Sequence, residues 1–265
     1  MIADTVYVEL YQTDPWLVLS LWSILWILML VLPPGTTSKY SLYRLNFVHG
    51  IICCSVATLA IYDFIPEHIA TMSSTAYFIV DFINMIINDF VFKVESYQKP
   101  AQRRIEYLHH ILCGGVAIVS HIPSIVGLCS FEHKGAQRNP FLFLMYAEFS
   151  TPSLMLWRYY DEKYTGSLLS VILFIKFYIA FILCRILYHA FIFVPECIEK
   201  CDKTLAYAIG IPYNLMNFAF LYFVSNKLKS LLFPKEEKKD ENKEEIKDEK
   251  KKDVKKMGSE TKKVK

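Results

Sequence analysis

Glycine is scarce in this chain, 9 of 265 residues, and no asparagine stands in an N-x-S/T glycosylation acceptor. Such scarcity beside 54% hydrophobic residues points away from an ordinary soluble fold and towards a membrane bundle. Net charge is nearly absent outside one region. Residues 234–265 hold 13 lysines and 10 acids, while residues 1–233 carry 16 basic and 16 acidic side chains, so the formal +3 belongs to the C-terminal stretch. That stretch mixes both signs and has no aromatic side chain to stack on a base, so no nucleic-acid partner is implied. The cysteines are odd in number, seven, and Cys53, Cys54, Cys113 and Cys184 sit in apolar runs as small hydrophobes, so no disulfide framework is expected. Cys197 and Cys201 flank a polar loop and can pair or bind a metal, but a lone C-x3-C without nearby histidines predicts no metal site.

What is present is a series of apolar runs near 16–33, 45–65, 72–92, 107–128, 139–157, 167–194 and 205–233. A hydrocarbon core about 30 Å thick needs roughly 20 apolar residues of helix. The expected fold class is therefore all-α, a polytopic membrane bundle of about seven transmembrane helices over 16–233, preceded by a short segment 1–15. Asp4, Glu9 and Asp14 stand where a secretory leader would be basic, so the first run is read as a span. Lys39 and Arg44 follow the first run, Asp63 and Glu67 the second, and Lys93, Lys99, Arg103 and Arg104 the third. Short basic loops stay in the cytosol, which predicts a lumenal N-terminus and a cytosolic C-terminus. The stretch 234–265, rich in Lys and Glu with little to bury, is expected to be disordered. Its end, Lys262, Lys263, Val264 and Lys265, forms a K-K-x-x pattern that resembles the retrieval signal of endoplasmic reticulum membrane proteins and implies coat machinery as a partner.

Ionisable residues inside apolar spans cost at least roughly 2.5–3.5 kcal/mol each on insertion scales, so each needs a partner or a cavity. Ser74, Tyr77, Asp81, Asn84 and Asn88 recur at helical spacing and share one face of the third run. The fourth run carries His109 and His110 near its cytosolic end, with His121 about three turns beyond His110. Glu148 lies near the centre of the fifth, and Pro152 lacks the N–H that would bond the Glu148 carbonyl, which predicts a kink. Arg185 and His189 are one turn apart in the sixth, and the seventh aligns Tyr207, Gly210, Asn214 and Asn217. Asn84, Asn214 and Asn217 read as hydrogen-bonding glue between helices. Asp81, His109, His110 and Glu148 read as the polar end of a cavity, since glue does not require several titratable groups on neighbouring helices.

In order, R-L-N-F-V-H-G (Arg44 to Gly50), S-x-x-Y-F-x-x-D (Ser74 to Asp81), I-E-Y-L-H-H (Ile105 to His110), A-E-F-S-T-P (Ala147 to Pro152), Trp157-Arg158, Arg185 and the Asn214/Asn217 helix resemble the TLC domain family, which includes the ceramide synthases. The resemblance covers about residues 40–230. It implies an endoplasmic reticulum protein of membrane lipid homeostasis whose helices enclose a lipid or fatty acyl chain, with membrane lipids as partners. Asp81, His109 and His110 match the family's polar site, and Tyr77, Asn84, His121, Glu148 and Arg185 are assigned with them to the cavity. The further H-D-x-x-D element of ceramide synthases is missing. Two readings therefore stand: a lipid-holding protein without chemistry, or an acyltransferase that takes fatty acyl-CoA as co-substrate and uses the histidine pair with a carboxylate such as Asp81. No other cofactor is implied. A transporter or a seven-span receptor fits less well, because no internal repeat and no N-P-x-x-Y in the last span are present.

Overall fold

The computed structural model describes residues 13–32, 38–92, 100–122, 129, 131–133 and 135–233, without the side chains of residues 38, 39, 101 and 102. Asp4, Glu9, Lys93, Lys99, Lys134 and the stretch 234–265 with its Lys262-Lys263 pattern lie outside the described residues. Two compact units are found, Met1–Asn226 and Lys227–Lys265. All packing below belongs to the first. In the second, the Ser230 hydroxyl donates to the Lys227 carbonyl at 2.8 Å.

Each of the seven predicted spans overlaps a helical rod. The first is α1 (Pro15–Val31), started by Asp14, whose carboxylate accepts from the Trp16 N–H at 3.0 Å, with Pro15 in the first turn. The second is α2 (Ser38–Ile61). Past it, Asp63 adopts φ 63° while its N–H donates to the Ala60 carbonyl and that of Phe64 to Leu59, a Schellman closure. The third rod joins α3 (Glu67–Ile86) to a π-helical turn, Ile87–Val91. The fourth is α4 (Pro100–Val119). A two-stranded antiparallel hairpin, β1 (Phe131–His133) with β2 (Ala136–Arg138), follows it, with Phe131 opposite Arg138.

The fifth rod is broken: α5 (Pro140–Leu144), a 3₁₀ segment Met145–Ser150, and α6 (Thr151–Lys163). The irregularity expected at Pro152 is present as this 3₁₀ segment, in which the Thr151 N–H turns back to the Glu148 carbonyl. The sixth rod is α7 (Leu168–Phe181), a twelve-residue π-helical segment Ile182–Phe193, and α8 (Val194–Lys200), where Pro195 supplies no N–H. The seventh is α9 (Lys203–Leu232), with Pro212 inside it.

Among the described residues four rods are long and apolar enough to cross a membrane, Tyr40–Ile61, Glu67–Val91, Leu168–Lys200 and Lys203–Leu232, and Pro15–Val31 is apolar but shorter. Polarity is inside out, as lipid requires. Along the sixth rod Leu168, Ile172, Ile179, Leu183 and Leu187 form an exposed apolar stripe, while Arg185 and His189 are buried beside Phe174, Phe177 and Phe181. A face of that kind finds no favourable partner in water and a favourable one in hydrocarbon, so the chain is an all-α helical membrane bundle.

Two sets of loops mark its ends. Arg138 in β2 pairs with Asp63 and, at 3.5 Å, with Glu67, and Cys129 is disulfide-bonded to Cys201, so the second, fourth and sixth connections meet. At the other end Tyr40 packs edge-on against Tyr159 with centroids 5.8 Å apart, and Arg158 lies 3.9 Å from Glu106. The disulfide corrects the cysteine reading: Cys201 pairs with a residue 72 positions away rather than with Cys197, which is a free thiol. The fourth span is corrected as well. The helix ends at Val119, so His121 lies in the turn beyond it, its N–H donating to the Ile118 carbonyl, and is not on a helical face with His110.

Candidate functional site

The inward faces of α2, α3, α4, the 3₁₀ segment, the sixth rod and α9 converge on two histidine–carboxylate pairs. His110 is held at both ring nitrogens. Its Nδ1 lies 3.0 Å from the Glu106 carbonyl, which can only accept, so Nδ1 carries a proton. Its Nε2 lies 2.8 Å from Asp81 Oδ2, and one proton is shared there. The Tyr77 hydroxyl also reaches Asp81 Oδ2, at 3.3 Å, and makes a short hydrogen bond to Asn46 Oδ1.

His109 is placed differently. Its Nδ1 faces the Cys113 sulfur at 3.2 Å, and its Nε2 stands 3.7 Å from Glu148 Oε1, beyond hydrogen-bond reach, leaving that nitrogen for another partner. Glu148 itself is fixed. Arg185 Nη2 donates to its Oε1 at 2.8 Å and the Thr151 hydroxyl to its Oε2 at 2.5 Å. Arg185 Nε donates in addition to the Ala147 carbonyl and Ser150 Oγ, at 3.1 and 3.3 Å. The 3₁₀ turn matters here because it aims the Ala147 carbonyl, Glu148 and Ser150 at one guanidinium. Gly50 makes the approach possible: a Cβ there would lie 2.5 Å from Pro152 Cδ and 3.0 Å from the Glu148 carbonyl.

Sequence reasoning paired the histidines with Asp81 as the carboxylate. The structure divides the work: Asp81 serves His110 and Glu148 faces His109. Tyr77 and Arg185 lie with these pairs, bonded to Asp81 and Glu148 respectively. Asn84 does not bond to either pair: its Oδ1 accepts from Asn88 Nδ2 in the following π-helical turn at 3.0 Å, and its Nδ2 is buried without a partner among the described residues. His121 does not either, lying against Thr75 with Nε2 3.3 Å from its hydroxyl. Asn214 and Asn217 were read as glue, yet Asn214 Oδ1 and both amide atoms of Asn217 have no hydrogen-bond partner among the described residues.

His49 was missed. It is 1% exposed, stacked on the Tyr77 ring with centroids 3.4 Å apart, and both its nitrogens are unpartnered among the described residues. The available signal was a histidine five residues from Arg44 inside an apolar run. Asp81 Oδ1 is likewise buried without a partner. On α9, Tyr213 packs 4.3 Å from His189 and Phe220 6.2 Å from His109, and Asn217 stands one turn from each on that face. His49, Asp81 Oδ1 and Asn217 thus leave buried donors and acceptors unmet beside the two pairs.

Buried polar atoms normally find partners, and each left bare costs about 1–3 kcal/mol. The arrangement can hold a polar group by hydrogen bonding, and His109 can accept or deliver a proton. Among the described residues no group of three or more His, Cys, Asp or Glu has the placement to hold a metal ion. No protein-family model, curated protein or solved structure matches the chain.

Proposed function

We propose that this chain is a TLC-type membrane protein of the endoplasmic reticulum that holds the polar end of a lipid or fatty acyl chain between His109, Asp81, Glu148 and Asn217 and acts in membrane lipid homeostasis. The observation that carries the reading is the set of unmet polar atoms of His49, Asp81 and Asn217 beside two histidine–carboxylate pairs, inside a bundle whose outer face is apolar. The Cys129–Cys201 disulfide joins the fourth and sixth connections. Disulfides persist in oxidising compartments, which supports a lumenal placement of that end and, by parity of the spans, a lumenal N-terminus and cytosolic C-terminus. The Lys262-Lys263 retrieval signal, read by coat machinery, belongs to the same proposal.

The second reading, acyl transfer from fatty acyl-CoA to a lipid hydroxyl or amine, is favoured by one observation, the uncommitted Nε2 of His109. That nitrogen takes the acceptor's proton as the acceptor attacks the thioester carbonyl, and the C–S bond breaks to release the CoA thiolate, which recovers the proton. His110, occupied at both nitrogens, is then a positioning residue. Mass spectrometry of purified protein together with an acyl-CoA consumption assay separates the two. Lipid holding predicts copurified lipid, reduced in the His109→Ala/His110→Ala variant, without thioester turnover. Turnover that the double variant abolishes establishes the enzyme. A double variant that folds, retains the same lipid and restores the lipid profile of cells lacking the protein overturns both.

A further inference from the structure

Beyond Tyr213, towards the disulfide, the bundle contains a second space. It is an apolar pocket whose space, counted out through its open mouth, comes to about 730 Å³. Val116, Leu144, Phe193, Ile209 and Tyr213 line it, Cys129 and Cys201 also contribute to its wall, and among the described residues no Asp, Glu, Lys or Arg faces it. Its polar lining is nearly all spoken for. Ser120 Oγ donates to the Ala117 carbonyl at 2.7 Å, Asn139 Oδ1 accepts from the Phe141 N–H at 2.9 Å, and Asn139 Nδ2 donates to the Ser120 carbonyl at 3.2 Å.

His189 is the exception. It is 1% exposed, its ring is flanked by Phe193 and Tyr213 with centroids 4.7 and 4.3 Å away, and neither nitrogen has a hydrogen-bond partner among the described residues. The π-helical segment carries it, and such departures from α-helix recur where a side chain is aimed at a ligand. Tyr213 divides this space from the site above, since its other neighbour is Cys113, which touches His109.

We infer that this cavity is a second lipid site, in which His189 hydrogen-bonds the single hydroxyl of an uncharged lipid while the lipid's apolar body lies along Val116, Leu144 and Ile209. A neutral imidazole has one donor and one acceptor nitrogen, which a hydroxyl satisfies singly in either direction. A phosphocholine headgroup or a carboxylate would bring charge onto a wall without a counter-ion, so both are discriminated against. The inference takes its ligand class from the membrane-lipid reading but does not depend on the histidine pair.

The test uses the full-length protein in lipid nanodiscs and a long-chain alcohol bearing a photoactivatable diazirine and an alkyne. The same chain as a carboxylate and as a phosphocholine lipid serves for comparison. The alcohol is expected to label peptides containing Val116 or Ile209 in preference to the other two probes. His189→Phe lowers that labelling about tenfold, the loss of one buried hydrogen bond, and His189→Gln, which keeps a donor and an acceptor, retains most of it. Ala206→Leu, which narrows the cavity from a wall residue other than His189, lowers it as well. The His109→Ala/His110→Ala variant labels as wild type, so a failure of the first site leaves this result standing. Equal labelling by all three probes, or full labelling of folded His189→Phe, overturns the inference, as does labelling lost in the double variant and kept in His189→Phe.

Discussion

Arg185 and His189 stand four residues apart on one π-helical segment and are both buried, yet they live under opposite conditions. Arg185 donates to Glu148, the Ala147 carbonyl and Ser150, and Glu148 is met in turn by Thr151. His189 meets only rings. A buried charge with every neighbour in place is part of the scaffold, and its loss is structural. A buried neutral ring with no polar neighbour contributes packing alone until a ligand arrives, so its loss is felt in binding.

The widest separation between the two should come from deleting each. Arg185→Leu leaves Glu148 charged and unpaired in the interior and is expected to destabilise the bundle by about 3–5 kcal/mol. Adding Glu148→Gln should recover much of this. His189→Phe should cost less than about 1 kcal/mol, since the rings around it accept an aromatic replacement. Thermal unfolding in detergent reads both, and equal losses would show that His189 belongs to the scaffold after all.

The next effect concerns the end of the bundle that His189 shares with the disulfide. Cys129→Ser opens a link spanning 72 residues and should cost about 2–4 kcal/mol, with wild type falling to the same level under reductant. Fluorescent maleimide labelling after reduction identifies the released pair. A reductant-insensitive wild type would mean that this end is held by the Arg138 contacts alone.

These contrasts also show where sequence reasoning reaches. The seven rods were legible because an apolar run long enough to cross a bilayer has few alternatives, and Asp81 with His110 was legible because spacing puts Asp81 on a polar stripe. Glu148 and Arg185 were visible as two expensive residues and Pro152 marked the break beside Glu148, but their pairing across 37 positions also depends on a π-helical segment, a backbone register with no plain residue signature. His121 was misaligned because the helix was extended past its stop, though Pro123 two residues later is a boundary signal. The disulfide was hidden by an odd cysteine count and a long separation.

Backbone crowding separates the two sites again on a smaller scale. Gly50→Ala places a methyl 2.5 Å from Pro152 Cδ and 3.0 Å from the Glu148 carbonyl, and neither a proline ring nor a carbonyl in a 3₁₀ turn yields easily. The expected cost is about 1–3 kcal/mol. Gly210→Ala meets the Val194 side chain, nearest at Cγ1, 3.1 Å away, which can move by a few tenths of an ångström, so its cost should stay below about 1 kcal/mol. A reversal of that order in the unfolding assay would place the tighter packing at the cavity instead.

The smallest effect sharpens the contrast between buried and exposed ion pairs. Arg138 hydrogen-bonds Asp63 and holds its carboxyl below the usual carboxylate range. A group whose pKa is lower in the folded state stabilises fully above its unfolded value, about pH 4, and that contribution drains away as pH falls through the depressed folded value. Asp63 is 54% exposed on its side chain, so solvent screening keeps the contribution below about 1 kcal/mol, unlike the buried Glu148–Arg185 pair. Asp63→Asn is the fitting probe, because asparagine also tolerates the φ of 63° at this helix end and only the charge is lost. Unfolding temperatures of wild type and variant should differ slightly at neutral pH and converge as the solution is acidified below about pH 4. A gap that persists unchanged in acid would assign the effect to the backbone turn rather than to the ion pair.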